Sequence, residues 1–144
     1  MSVPFVIEAL LVARRACRDG AVERARQCRE DMQAAEATRA AIEQRFKRTV
    51  ALRADCVTRL ARLARDGAEA TAEHARTAEH VAMLGTRADE IRFELSRAEH
   101  VLAIARAQLE EAMAFLNRAQ ARLDAALERK SAWEHEARNA GLRA

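Results

Sequence analysis

The second half of the chain carries an apolar residue at alternating steps of four and three positions. Leucine and alanine alternate along this run, and only Lys130 interrupts it between Leu84 and Ala140. Apolar residues at this spacing share one helix face, which is typical of a coiled coil. The pattern predicts a long helix that packs on another helix along a seam. The seam consists of Leu84, Ala88, Ile91, Leu95, Ala98, Leu102, Ala105, Leu109, Ala112, Leu116, Ala119, Leu123, Ala126, Lys130, Trp133, Ala137 and Ala140.

The first half carries a looser version of the same repeat. Its seam consists of Ile7, Leu11, Arg14, Arg18, Ala21, Ala25, Cys28, Met32, Ala35, Arg39, Ile42, Phe46, Thr49, Arg53, Cys56, Leu60, Leu63 and Gly67. Four of these positions are arginine. Two interpretations stay open. The aliphatic part of each arginine packs in the seam while its guanidinium group reaches solvent, or the arginines face a partner.

The two seams require a reversal of the chain between them, and two glycines offer one. Gly67 stands between Asp66 and Glu69, an Asp cap with a glutamate three residues later, and Gly85 precedes a Thr cap and an acidic turn. We predict a first arm of about 5–66, a turn region of about 67–86 with the turn nearer Gly67, and a second arm of about 87–140. A short third helix between the two glycines is the alternative.

Composition agrees with an all-α chain. Proline occurs only at position 4, and the sequence has one Trp, four Phe and no Tyr. Alanine buries little area, so such a chain is best stabilised along a thin seam between closely packed helices. The prediction for residues 1–144 is a single elongated coiled-coil hairpin of two long antiparallel helices, and a monomer.

Charge, the apolar N-terminus and cysteine content restrict the partners and the compartment that the sequence predicts. The net charge is +3, but the cations alternate with carboxylates at helical spacing, so nucleic-acid binding is not predicted. The apolar N-terminus is too short to span a bilayer and lacks the basic start of a signal peptide. Cys17, Cys28 and Cys56 have no metal-ligand spacing and are expected to stay reduced in the cytoplasm.

Motifs for catalysis and cofactor binding are missing from the sequence. No histidine follows a glutamate by three positions, as di-iron bundles require, and no glycine-rich phosphate loop or nucleophile elbow occurs. The expectation is a protein that is not an enzyme and has no catalytic residue, metal site or cofactor. It would act by contact with other proteins.

Two groups of residues are candidates for such contacts. Near the joined ends of the arms lie basic residues and the sole tryptophan, which alternatively caps the seam against the apolar N-terminus around Phe5, Val6 and Ile7. This first group is Arg14, Arg15, Arg18, Arg129, Lys130, Trp133 and Arg138. Near the turn, Val81, Met83 and Leu84 are expected either to expose an apolar patch or to fold into the turn.

The hairpin resembles the FliJ/YscO-like (SctO) stalk proteins of bacterial type III secretion and flagellar export. The resemblance rests on size, basic helical composition and two long arms with adjacent termini, over nearly the whole chain. It implies a cytoplasmic stalk, peripheral to the inner-membrane secretion machinery, that links the hexameric export ATPase to the export gate protein. The basic group and Trp133 would contact the ATPase, and residues 81–84 the gate; the flagellar or virulence type stays open.

The family also implies an escort role for secretion chaperones. Two other functions stay open beside the stalk. One is a structural coiled coil that associates with itself, and the other is a helical chaperone for a secreted client. Oligomeric state separates the stalk from the first alternative, and client binding without ATPase stimulation favours the second.

Overall fold

The computed structural model describes residues 3–143 and consists of two helices, α1 (Val3–Arg65) and α2 (Ala72–Arg143). No strand occurs among these residues. The two helices pack against each other, and this confirms the predicted all-α helical hairpin. Contacts divide the chain into two units, one of residues up to 32 and from 105 onward, the other of residues 33–104. Each unit contains a segment of both helices.

The leucine and alanine seam of α2 is the buried face of that helix. From Leu84 to Ala126 every predicted seam position is buried or half-buried, and so are Lys130 and Trp133. Ala137 and Ala140 are exposed, so the seam ends before the last two predicted positions. The four-and-three spacing thus correctly predicted which face of α2 packs on α1.

In the first unit the seam of α1 meets that of α2 with antiparallel order. Leu11 packs with Leu123 and Ala126, while Ala25 and Cys28, further along α1, pack with Ala112, which comes earlier in α2. Leu109, Met113 and Leu116 pack against this second cluster of small residues. Antiparallel pairing follows from a short reversal between consecutive helices.

In the second unit, ion pairs between the two helices flank the apolar seam. Arg39 reaches Glu99 across the helix pair at 3.4 Å, and Arg45 pairs with Glu94 at 3.1 Å. Both ion pairs face solvent at the flanks of the seam, so each stabilises the folded state by at most about 1 kcal/mol. The Arg39 guanidinium group therefore lies outside the seam, in agreement with the interpretation that the seam arginines direct their charges away from it.

The connection between the helices is shorter than predicted. Gly67 has a φ of 74°, its N–H donates to the Ala64 oxygen, and the Ala68 N–H donates to the Leu63 oxygen at 2.9 Å. These two bonds form a Schellman motif, which ends α1 at a left-handed glycine. The Thr71 hydroxyl then accepts a hydrogen bond from the His74 N–H at 3.2 Å and caps α2.

The turn lies at Gly67, as predicted, but the predicted turn region of 67–86 is too long and both predicted caps are wrong. Residues 72–86 belong to α2, so the third helix does not form, and the cap is Thr71 in place of Asp66 or Thr86. Gly85 lies inside α2, where a Cβ would come within 3.3 Å of the Arg53 Nε. This glycine serves close approach of the Arg53 side chain and does not stop the helix.

A pair of glycine substitutions tests the connection. Gly67→Ala should lower the free energy of unfolding by about 1–2 kcal/mol, because alanine resists the left-handed conformation. Gly20→Ala is the matched control, since Gly20 is helical and nothing lies within 4 Å of an added Cβ. It should raise stability by about 0.5–1 kcal/mol. Urea unfolding followed by circular dichroism measures both, and equal effects of the two substitutions would contradict the Schellman motif.

Within residues 3–143, neither helix contains a stretch that is both apolar and long enough to cross a bilayer.

Candidate interaction surface

An apolar hollow lies between the two helices of the first unit. We name it the Trp133 hollow; its lining residues are Val6, Ile7, Leu10, Ala126, Arg129, Ala132, Trp133 and Glu136. The Trp133 side chain is half-buried, whereas Val6 is exposed over 52% of its surface. Trp133 therefore does face the apolar N-terminal segment, yet the two leave an open concave surface.

Three arginines surround a second hollow that adjoins the first. Its lining residues are Leu10, Arg14, Arg122, Ala125, Ala126 and Arg129, so the two hollows share Leu10, Ala126 and Arg129. We call the two together the basic apolar surface. No ion pair among the described residues involves Arg14, Arg122 or Arg129, and Glu136 is the only carboxylate in either lining. The surface thus combines uncompensated positive charge with an apolar floor.

Lys130, the one polar residue in the α2 seam, is paired instead. Its Nζ lies 2.7 Å from the Glu8 Oε1 and 4.0 Å from the Glu134 Oε1. The hydrogen bond with Lys130 lowers the pKa of the Glu8 carboxyl, and the attraction between the two charges adds to this. The same contact raises the pKa of Lys130. The interruption of the apolar seam is therefore an ion pair between the helices.

The lowered Glu8 pKa gives a pH-dependent contribution to stability. Because the folded-state pKa lies below the unfolded one, the contribution is present above the ordinary glutamate pKa of about 4.3 and is lost as pH falls through the folded value. Glu8→Gln should lower the melting temperature at neutral pH, and the difference from wild type should vanish in acid. Glu111→Gln, at an exposed position, is the control. A pH-independent difference for Glu8→Gln would contradict the role of the ion pair.

The other predicted basic residues do not line the basic apolar surface. Arg15 is exposed and lies near enough to Lys130 to oppose its protonation. Arg18 pairs with Asp19 at 2.7 Å, and the Arg138 Nε donates to the Glu134 backbone oxygen at 3.4 Å. Of the seven predicted residues, only Arg14, Arg129 and Trp133 therefore lie on the basic apolar surface, where Arg129 belongs to both hollows.

The predicted apolar patch near the turn is not formed. Val81, Met83 and Leu84 lie inside α2, where Leu84 is a seam residue with only 6% of its surface exposed. Val81 is half-buried, and Met83 alone points outward, at 56% exposure. The hollow near the start of α2 in the second unit is polar and is lined by Cys56, Arg59, Glu73, Arg76, Thr77 and His80.

Sequence reasoning missed two residues of the basic apolar surface. Leu10 and Arg122 each precede a seam position, Leu11 and Leu123, and Arg122 stands one heptad before Arg129. Residues that precede the seam flank the helix contact, so arginines seven positions apart line up along one edge. A search for charges that repeat at seven residues beside the seam would have found this edge.

Within residues 3–143, no group of three or more His, Cys, Asp or Glu side chains is arranged to hold a metal ion. Cys28 is buried, and Cys17 and Cys56 are half-buried; all three are free thiols.

Comparison of the chain with protein-family models, with curated proteins and with solved structures found no match in any of the three.

Proposed function

We propose that the chain is a non-catalytic stalk or adaptor of a bacterial type III secretion or flagellar export system. It would link the hexameric export ATPase to the export gate from the cytoplasmic side of the inner membrane, and escort secretion chaperones. The observation that carries the proposal is the basic apolar surface, where Arg14, Arg122 and Arg129 surround an open apolar floor and form no ion pair with any described residue. Uncompensated charges of one sign beside apolar area are suited to a complementary protein surface.

The helical hairpin supports the same proposal. Both segments that form the basic apolar surface lie close to chain ends, one near the start of α1 and one near the end of α2. A stalk that enters a pore would present such a surface at the end that holds both termini. The gate contact is proposed for the turn side, where Met83 is exposed and the nearest hollow is polar.

Binding to the export ATPase tests the proposal. We expect the purified chain to co-migrate with the ATPase hexamer and to raise its rate of ATP hydrolysis. Arg14→Glu with Arg129→Glu should weaken this binding about tenfold or more, if each exposed contact contributes up to about 1 kcal/mol. Arg48→Glu with Arg62→Glu, two exposed arginines of the second unit, is the control with the same charge change. Absence of both binding and stimulation for wild type would refute the stalk.

A second candidate is self-association through α2. In the second unit Phe93, Val101 and Ile104 are exposed along one flank of this helix, with 65% of the Phe93 surface accessible. The Arg97 guanidinium covers part of the Phe93 ring at 5.0 Å from its centre. Exposed apolar rows of this kind mark helix contacts in larger bundles. A protein that associates with itself would favour this function over the stalk.

A further inference from the structure

We infer that the basic apolar surface binds an acidic segment of another protein that inserts one bulky apolar side chain into the Trp133 hollow. This inference rests on the proposed protein-contact function and adds the chemistry of the partner.

The charge of the rim selects carboxylates. Arg14, on α1, and Arg122 and Arg129, on α2, line the same hollow, and their guanidinium groups have no ion pair within the described chain. Guanidinium groups form paired hydrogen bonds with carboxylates, which makes arginine a preferred contact for acidic side chains. By contrast, Arg18 and Lys130 nearby are already paired, with Asp19 and Glu8. Arg14, Arg122 and Arg129 thus keep their guanidinium groups available for carboxylates of a partner.

The floor selects an apolar side chain rather than a chain of phosphates. Val6, Ile7, Leu10 and Trp133 are four of the eight residues that line the Trp133 hollow, and Arg129 belongs to both linings. A bulky apolar side chain buried there is worth about 1.5–3 kcal/mol by its transfer from water. Tryptophan and arginine are also among the residue types that contribute most of the binding free energy in protein interfaces. A nucleic acid or a phospholipid headgroup would use the rim and leave this floor uncovered.

The edge of the α2 seam selects a helical or extended segment. Arg122 and Arg129 are one heptad apart, which corresponds to about 10 Å along the helix. Carboxylates seven residues apart on an acidic helix, or three to four apart on an extended chain, match this separation. Arg14 and Arg122 line only the second hollow, and Glu136 lines the Trp133 hollow, so the partner segment carries its acidic residues on one side of its apolar anchor.

Trp133 is the sole tryptophan and reports on its own hollow. The experiment is a titration of the full chain, followed by Trp133 fluorescence, with a synthetic peptide in which a run of Asp and Glu lies on one side of a Leu-Leu pair. We expect a saturable change in emission. The double variant Arg122→Glu with Arg129→Glu should weaken binding about tenfold or more. The control Arg24→Glu with Arg118→Glu has the same change in charge at exposed positions of the first unit that line neither hollow.

Four other results would overturn the inference. These are no response of wild type to the acidic peptide, an equal response to a peptide with Lys in place of Asp and Glu, an equal response when Ser replaces the Leu pair, and equal loss in the control double variant. Anionic vesicles or single-stranded DNA that elicit the response where the peptide does not would identify a different ligand. Loss of ATPase binding with peptide binding intact would refute only the proposed function; the reverse outcome would refute only this inference.

Discussion

Replacement of Leu11 by alanine should lower the free energy of unfolding by about 2–4 kcal/mol. Leu11 is fully buried, at 0% exposure, and packs against Leu123 and Ala126 with Ile7 and Leu10 at the edge of the cluster. Loss of its side chain removes apolar burial and leaves a cavity between the helices, because the alanine across the seam is too small to fill it. Denaturant unfolding at equilibrium measures the change.

The neighbouring residue provides the control. Val12 is 65% exposed on the same turn of α1, so Val12→Ala should change stability by less than about 0.5 kcal/mol. If the two substitutions had similar effects, the face of α1 that packs on α2 would be assigned incorrectly. A loss confined to Leu11→Ala supports the helix contact in the first unit.

The second large effect is expected where the helices meet through small residues. Ala112 is buried against Ala25 and Cys28 of α1. The substitution Ala112→Leu therefore adds a side chain for which the two helices leave no space. Overpacking of this kind costs about 1–3 kcal/mol, because the helices must move apart or the side chain must adopt a strained rotamer. The melting temperature should fall accordingly.

The exposed Ala107 is the matched position for this substitution. It lies on α2 in the same unit and faces solvent, so Ala107→Leu should leave stability nearly unchanged. If Ala112→Leu stabilised the protein, the space between the two helices at this position would be large enough for a leucine side chain. That result would contradict the close packing of Ala25 and Ala112.

The seam of α2 could be predicted from sequence because its burial follows spacing alone. The run from Leu84 to Ala126 has an apolar residue at each position, and each is buried or half-buried in the structure. The seam of α1 was harder to read because it includes arginines, whose stems pack while their charges reach carboxylates such as Glu99. Periodicity identifies the buried face and leaves these partners undetermined.

The turn could not be predicted with the same precision because two glycines have different roles. Gly67 adopts a positive φ at the end of α1, whereas Gly85 makes room for Arg53 inside α2. Both look like breaks in the sequence, since a glycine signal does not distinguish a left-handed cap from close approach. Thr71, the actual cap, lacks the acidic residue three positions later that marks a capping box; that position is His74.

The candidate surface was predicted in part. Arg14, Arg129 and Trp133 were expected at the ends of the arms and do line the basic apolar surface. Lys130 and Arg18 were expected beside them, but each forms an ion pair with a carboxylate that the heptad pattern does not reveal. The carboxylate that a basic side chain meets depends on the flank of the seam on which the side chain lies and on the register of the partner helix.

The solution mass tests the central claim most directly, because a stalk must be a lone hairpin in which α1 and α2 of one chain satisfy each other. Light scattering on the purified, reduced protein should give 16.0 kDa, the mass of one chain. The mass should stay constant across a wide range of concentration. A stable dimer or larger assembly would contradict the lone hairpin and favour self-association through the exposed flank of α2.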